Sequence, residues 1–300
     1  MTVSAQRPFV LYCKSYRTDV KRVARLARSI AAHNVDKIPF YVSAPELDLD
    51  LFKEHLAGMD VQLLSDESIT ELNPAIDPAR LQATPGYLSQ QVVKSEFWRT
   101  GISTAYLCLD SDCIFIRSFY LRDFIANNDV PYTVIDEARD LFYATIAKGK
   151  QKIIENYHRE SLAVQVAFGR AGRDYNFGPN CPIWDRRVWQ SLDDNYIRPL
   201  GLSFLDLIQQ VPVEMRWYGE ALLKYRAIDL YPAQPLFKMY HYAWQQKFDR
   251  RNGVREEQLK QLYCGVVYQS AWEREMDWPS EGGNFLSRFA RRIRRGMGHM

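Results

Sequence analysis

Two spacings of hydrophobic residues alternate over the first hundred positions. Short apolar runs of strand length occur at Phe9–Cys13, Pro39–Ser43 and Val61–Leu64. Between them, residues 19–31 and 46–56 place apolar side chains three and four positions apart, with the polar residues mostly off that face, which is typical of helices packed on a sheet. This alternation predicts an α/β fold with a parallel sheet and right-handed crossovers.

A fourth run, Ala105–Leu109, is uninterrupted and ends in Asp110-Ser111-Asp112. Such a run predicts a central strand covered on both faces. Ligands of open α/β sheets bind beyond the carboxyl ends of the strands, so two acids at such an end indicate a ligand site. Neighbouring carboxylates repel each other, and a hard divalent cation bound between them and a substrate diphosphate offsets that repulsion. The alternative is a strand-end turn capped by Asp110.

The second half of the chain shows a less regular pattern. It predicts helices over 137–170 and 217–225, an extended segment over 230–244 and a last strand at 266–268. No internal repeat and no long linker divides the sequence. We therefore expect one domain over residues 1–285, followed by a separate tail at 286–300.

The composition is that of a globular protein. Hydrophobic residues make up 47% and charged residues 25% of the 300 positions, which excludes a disordered chain, a collagen-like chain and a coiled coil. No apolar run reaches the roughly 18 residues of a membrane span. The five cysteines are scattered and odd in number, so we expect reduced, mostly buried thiols. Residues 1–7 have no signal-peptide character, and we expect a cytoplasmic protein.

The net charge of +3 is concentrated in the tail. Residues 286–300 contain five arginines and no acid, which leaves −2 for residues 1–285. The body is therefore not expected to bind nucleic acid. Apolar residues of the segment 285–293 fall near one side, and a basic amphipathic helix of this kind predicts peripheral contact with an anionic inner-membrane surface. A solvated or disordered end is the alternative.

Leu107–Ile116 resembles the strand and DxD signature of GT-A glycosyltransferases. Other segments resemble, in the same order, a bacterial family of GT-A-like proteins encoded near surface-polysaccharide genes. These segments are Leu11–Tyr16, His33–Asp36 with Pro39–Tyr41, Ser89–Lys94 and Trp217–Glu220. The resemblance covers most of residues 8–270. It implies a GT-A-like, Rossmann-related, mostly parallel central sheet flanked by helices, with a nucleotide-binding half at about 8–136 and an elaborated acceptor-side half at about 137–285.

The same resemblance implies a donor site. The loop after the first strand would hold the nucleotide, and the helix before the DxD strand would bond ribose or sugar hydroxyls. The residues concerned are Lys14, Ser15, Tyr16 and Arg17 in the loop, and Gln91 and Lys94 on the helix. A cation and an aromatic ring suit a phosphate and a base. An ordinary turn and a solvated helix face are the alternatives.

A metal and a sugar pocket are implied as well. Asp110 and Asp112 would contact Mn²⁺ or Mg²⁺ and the donor diphosphate, and His241 would be a third metal contact. The alternative for His241 is a core histidine. In the loop and strand that resemble the sugar-pocket lining, Asn180 would supply amide hydrogen bonds and Trp184 a stacking face. A proline-rich bend over the core is the alternative for this segment.

Glu220 is the residue that the resemblance places beside the acceptor, where a carboxylate would remove the hydroxyl proton. Gly219 before it would allow close approach of a ligand, and Glu214 and Asp185 are alternates. A helix-terminal acid favoured by the helix dipole is the other interpretation of Glu220.

The function implied is metal-dependent transfer of a sugar from a nucleotide-sugar to a glycan or lipid-linked acceptor in bacterial surface polysaccharide biosynthesis. A nucleotidyltransferase is an alternative, although the loop at 14–17 lacks the glycines that such enzymes usually carry there. A glycan-binding protein on the same fold is another.

Overall fold

The computed structural model describes residues 7–126, 129–178 and 181–271. Ten strands are present in these ranges: β1 (Arg7–Lys14), β2 (Phe40–Ala44), β3 (Gln62–Ser65), β4 (Ser103–Leu109), β5 (Cys113–Phe115), β6 (Tyr132–Val134), β7 (Ile183–Asp185), β8 (Tyr231–Ala233), β9 (Phe237–Tyr240) and β10 (Gly265–Tyr268). The expected tail at 286–300 lies outside the described residues.

Five strands form the central sheet in the order β3-β2-β1-β4-β7. All neighbours are parallel except β4 and β7, which are antiparallel. A second sheet has the order β5-β10-β9, and β6 pairs with β8. The predicted α/β class with a mostly parallel central sheet is confirmed.

Twelve α-helices connect these strands within the described ranges. They are α1 (Val20–His33), α2 (Leu49–His55), α3 (Asp66–Thr70), α4 (Pro78–Gln82), α5 (Gly86–Glu96), α6 (Arg139–Ala147), α7 (Gln151–Ala167), α8 (Arg186–Leu192), α9 (Phe204–Gln210), α10 (Glu214–Tyr225), α11 (Ala243–Arg251) and α12 (Glu256–Leu259). The helix predicted over 137–170 is two helices, α6 and α7. Within this part of the chain, no helix is both long and apolar enough to cross a membrane.

Helices cover both faces of the central sheet. Along β1, Leu11 and Cys13 face a cluster that includes α1, whereas Val10 and Tyr12 face one built with α5, α8 and α10. Successive side chains of a strand point to opposite faces, so burial of both sets requires the continuous apolar run seen in the sequence. The five cysteines are free and buried, as expected.

Candidate active site

The candidate site lies at the carboxyl edge of the central sheet, between β1 and β4. The chain passes from β1 to β2 on one side, while β4 pairs with β1 on the other. This reversal of strand order is the position at which open α/β sheets bind ligands. Cys13 is in register with Leu109, so Lys14 and Asp110 follow side by side. The structure thus brings the turn after β1 next to the DxD segment.

Asp110 lies at the rim of this edge with 34% of its side chain exposed, and it accepts a 2.7 Å hydrogen bond from Nζ of Lys94. Lys94 projects from α5 and is buried, with its Nζ also 4.0 Å from Oε1 of Glu214. Burial alone lowers the pKa of Lys94, but Asp110, Cys108 and Glu214 together raise that pKa well above its ordinary value. A permanent cation therefore lies beside the first acid of the motif.

Asp112 is held differently from Asp110. Its side chain is buried, and Oδ2 accepts a 2.8 Å hydrogen bond from the backbone N–H of Ser270. Its carbonyl accepts another from the N–H of Tyr268, at 3.1 Å. The second acid is therefore fixed to the end of β10, while the first remains at the rim.

The first two residues of the predicted nucleotide loop are tied into the protein. Nζ of Lys14 lies 3.1 Å from Oδ2 of Asp66 and donates to the carbonyl of Ser15 at 2.8 Å. Ser15 is buried, and its N–H donates to the carbonyl of Ser43. Burial raises the pKa of Asp66, and Lys14 opposes that rise. Lys14 and Ser15 therefore hold the turn in its conformation through contacts inside the protein.

The next two residues of the loop, Tyr16 and Arg17, are exposed at the same edge. Nε of Arg17 is 3.1 Å from Oδ1 of Asp48, and its N–H donates to Oδ2 at 3.0 Å. The side chain of Arg17 is 66% exposed although Asp48 is buried, so the guanidinium stays in contact with solvent. Tyr16 and Arg17 are thus the loop residues that a ligand arriving from solvent would meet.

Gln91 links α5 to the start of α10. Its amide donates to the carbonyl of Tyr87 at 3.0 Å and accepts from the N–H of Glu214 at 3.2 Å. Glu214 is buried, and burial raises the pKa of its carboxyl, against the opposing effect of Lys94. One donor and one acceptor of Gln91 are thus already engaged within the protein.

Glu220 is buried in a two-pronged ion pair. Nε and Nη2 of Arg170 lie 2.6 Å and 2.7 Å from its two carboxylate oxygens. Six helical residues separate it from Glu214, which corresponds to about 9 Å along α10 and about 120° around it. The interpretation of Gly219 as room for a ligand is wrong, because the ring of Phe177 occupies the space that a Cβ would fill. The catalytic role of Glu220 stays a prediction.

Two other expected site residues belong to the scaffold. Asp185 is fully buried, caps α8 and lies 2.7 Å from Nη2 of Arg187. Trp184 is buried edge-on to Tyr106 in the core, so its predicted role as a sugar-stacking face is wrong. Asn180 lies outside the described residues.

His241 follows β9 at the same end of the second sheet as Asp112. Tyr240 is in register with Tyr268, whose N–H bonds to Asp112, so one strand separates the two predicted ligands. Two strand spacings amount to about 10 Å between backbones. Burial lowers the pKa of His241 to about 4, so the imidazole is neutral at pH 7, the form that binds metals.

Whether these residues suit a metal depends on the donor set. Over the described ranges, no three His, Cys, Asp or Glu side chains cluster closely enough to hold an ion by themselves. Mg²⁺, however, is commonly bound by one or two carboxylates with substrate phosphates and water. Asp110 and Asp112, at one strand end, fit that simpler arrangement.

Sequence reasoning did not identify the partners of these residues. Asp48 and Asp66 follow β2 and β3, and they pair with the loop after β1. Asp66 comes directly after β3 and Asp48 four residues after β2, and these positions were a usable signal because parallel strands end at one edge. Ser270 binds through its backbone, so its residue type offered no signal.

Comparisons with known proteins identify a family for residues 1–175, whose model is described as "Family of unknown function (DUF6492)". No curated protein matches the chain. Among solved structures, the bifunctional glycosyltransferase WbbM in its apo form is similar at 9% identity with a TM-score of 0.49, covering 90% of this chain and 47% of its own. The chain thus spans about half the length of WbbM.

Two further structures are similar at the same level. Apo mouse xyloside xylosyltransferase 1 has 8% identity and a TM-score of 0.46, over 88% of this chain and 98% of its own. An active-site mutant of LgtC has 14% identity and a TM-score of 0.47, over 86% of each chain. These are likenesses of backbone arrangement and carry no statement about substrate. The family model, in contrast, spans more than half of the sequence, and the chain belongs to the Family of unknown function DUF6492.

Proposed function

We propose that this protein is a metal-assisted glycosyltransferase that passes a sugar from a nucleotide-sugar to a glycan or lipid-linked acceptor in bacterial surface polysaccharide biosynthesis. One observation carries the proposal. Asp110 and Asp112 lie at the carboxyl end of β4, beside the turn after β1, at the reversal of strand order. An acid pair at that position suits the diphosphate of an activated sugar together with a cation.

The donor would bind across the turn after β1. The ring of Tyr16 offers a stacking face for a base, and Arg17 offers a guanidinium for phosphate oxygens. Lys94 adds a buried positive charge beside Asp110, 2.7 Å from its carboxylate. A fixed charge in a partly dehydrated site stabilises negative charge without reorganising during the reaction.

Asp110 and Asp112 would hold Mn²⁺ or Mg²⁺ together with the donor diphosphate, while the role of His241 as a third contact stays a prediction. When bound, the cation neutralises charge on the leaving diphosphate. The chain itself prepares the carboxylates: Lys94 fixes one oxygen of Asp110, and the N–H of Ser270 fixes one oxygen of Asp112. Each acid is thereby held in a defined orientation.

The acceptor hydroxyl needs a carboxylate if the reaction inverts the sugar centre. Glu220 is the residue expected from the sequence, but Arg170 engages both of its oxygens. Glu214 is held less tightly than Glu220: Nζ of Lys94 lies 4.0 Å from its Oε1, and burial raises the pKa of its carboxyl. We therefore place Glu214 ahead of Glu220 for this role.

The test compares wild type with Asp112→Asn in two measurements. The first is the thermal shift given by a nucleoside diphosphate with Mn²⁺, and the second is hydrolysis or transfer of nucleotide-sugars. We expect Asp112→Asn to lose the metal-dependent shift and about 10–100-fold of activity. Asp50→Asn, in an exposed ion pair with Lys53, is the control and should behave as wild type.

Full activity of Asp112→Asn would remove the metal site from the proposal. Release of pyrophosphate from a nucleoside triphosphate and a sugar phosphate would instead identify a nucleotidyltransferase. Glycan binding with no metal-dependent nucleotide stabilisation in wild type would identify a binding protein.

A further inference from the structure

The helices α6 and α11 form one surface with several exposed hydrophobic side chains. Tyr143 and Ile146, one turn apart on α6, are 67% and 62% exposed, and Phe248 on α11 is 61% exposed. The ring of Tyr143 lies 6.2 Å from that of Trp244, which joins the two helices. We call this region the α6–α11 surface. Large apolar side chains gathered at one exposed place mark an interaction site more often than isolated ones do.

Cations surround these side chains. Trp244, Lys247, Phe248 and Arg251 are spaced three and four residues apart, so they share one face of α11. Together they line an open groove of about 360 Å³. The alternation of aromatic and basic residues on that face gives it both an apolar and an electrostatic component.

Two more lysines extend the positive charge from α6. Lys148 and Lys150 follow the end of that helix, and their ammonium groups lie 5.3 Å and 5.2 Å from the ring centre of Tyr242. Cation–π contact with a tyrosine places both charges next to the start of α11. Lys148 and Lys150 therefore add to the positive charge beside the start of α11.

Acids on the same two helices do not cancel this charge. α6 and α11 contain one acid each, Asp140 and Asp249. Asp140 lies 3.5 Å from Nζ of Lys238, and Asp249 accepts a 2.7 Å hydrogen bond from the hydroxyl of Tyr240. Four cations, namely Lys148, Lys150, Lys247 and Arg251, outnumber these two acids, so the α6–α11 surface carries net positive charge around its exposed rings.

We infer that the α6–α11 surface docks on an anionic lipid bilayer. Exposed aromatic and aliphatic side chains insert at the level of the headgroups, and lysines and arginines beside them attract anionic lipids. α11 begins two residues after His241, at the carboxyl end of β9. Docking would therefore bring the candidate site close to the membrane. The inference concerns binding alone and does not rest on the proposed function.

Co-sedimentation of the full-length protein with vesicles tests this inference. Vesicles of phosphatidylcholine alone are compared with vesicles that also contain phosphatidylglycerol. Wild type should sediment with the anionic vesicles, and added salt should release it. Each basic residue near an anionic surface contributes roughly fivefold in affinity, so Lys247→Gln together with Arg251→Gln should weaken binding about 25-fold. Tyr143→Ser together with Phe248→Ser should weaken it as well.

The matched control is Leu47→Ser together with Lys53→Gln, which changes an even more exposed apolar residue and an exposed lysine outside this surface. It should bind as wild type. The side chains substituted on α6, on α11 and in this control are exposed, and circular dichroism with thermal unfolding checks that each variant folds.

Equal binding to both vesicle types would overturn the inference. A second result would also overturn it: the α6–α11 variants bind vesicles as strongly as wild type, while a tail variant, Arg291→Gln with Arg292→Gln, loses binding. The tail would then be the membrane contact. Loss of self-association in the α6–α11 variants, without vesicle binding by wild type, would identify a second copy as the occupant.

Discussion

Replacing Lys94 with methionine tests whether a buried cation holds the acids of the candidate site in place. Lys94 is buried, and its Nζ lies 2.7 Å from a carboxylate oxygen of Asp110 and 4.0 Å from one of Glu214. Removing one member of a fully buried pair costs about 3–5 kcal/mol. Asp110 is one-third exposed and can be hydrated, so we expect a smaller loss, about 2–3 kcal/mol near pH 7.

The loss should depend on pH. Burial already raises the pKa of Glu214, and Lys94 opposes that rise, so the pKa of Glu214 rises further in the variant. A carboxyl whose pKa is higher in the folded than in the unfolded state favours folding at low pH, and this contribution disappears as pH rises through the folded pKa. The difference between variant and wild type should therefore shrink toward about pH 5.

Urea denaturation at about pH 7.5 and about pH 5 measures both effects. Lys53→Met removes an exposed ion pair with Asp50 and should change stability by less than about 0.5 kcal/mol. Adding Glu214→Gln to Lys94→Met should recover about 1 kcal/mol, because the uncompensated charge is gone. A loss below about 1 kcal/mol that is the same at both pH values would show that Lys94 does not hold these acids in place.

Two further predictions concern α10. Gly219→Ala should destabilise the protein by about 1–3 kcal/mol in thermal or urea unfolding because an aromatic ring fills the space, whereas Gly86→Ala, with open space at its Cβ, should be neutral or slightly stabilising. Glu220→Gln should lower the free energy of unfolding by about 2–3 kcal/mol, because Arg170 loses its charged partner, but the folded variant should keep its transfer activity. Glu214→Gln should lower transfer activity about 100-fold or more. Loss of activity at unchanged stability in Glu220→Gln would restore that residue as the base.

The strands were predictable because their physical cause is local. β1 and β4 are covered on both faces, so the side chains on both sides of each strand are buried and need to be apolar. The continuous apolar runs Phe9–Cys13 and Ala105–Leu109 therefore indicate strands directly. Their adjacency was not readable from either run. The order β3-β2-β1-β4 depends on how whole helices pack, and it is this order that brings the loop at 14–17 beside Asp110.

The site was less predictable because its decisive contacts join distant residues. Asp112 is fixed by Ser270, 158 positions away, and no local pattern marks a backbone donor. The interpretation of Gly219 was wrong for a related reason. Aromatic residues with glycine and an acid suit a sugar pocket and a packed core equally well, and packing alone decides that Phe177 covers Gly219.

Burial divides the residues that the sequence grouped into one donor site. Lys14 and Lys94 are paired with acids inside the protein, at 3.1 Å and 2.7 Å, and their removal should be felt in folding. Arg17 makes a similar contact with the buried Asp48, but its own side chain is 66% exposed, so its guanidinium can also meet a phosphate from solvent. The two lysines therefore hold the edge of the sheet in shape, while Arg17 keeps its charge available to a ligand. The sequence motif contains both kinds of cation. Whether a cation positions the site or binds a ligand depends on how deeply its side chain is buried in the fold.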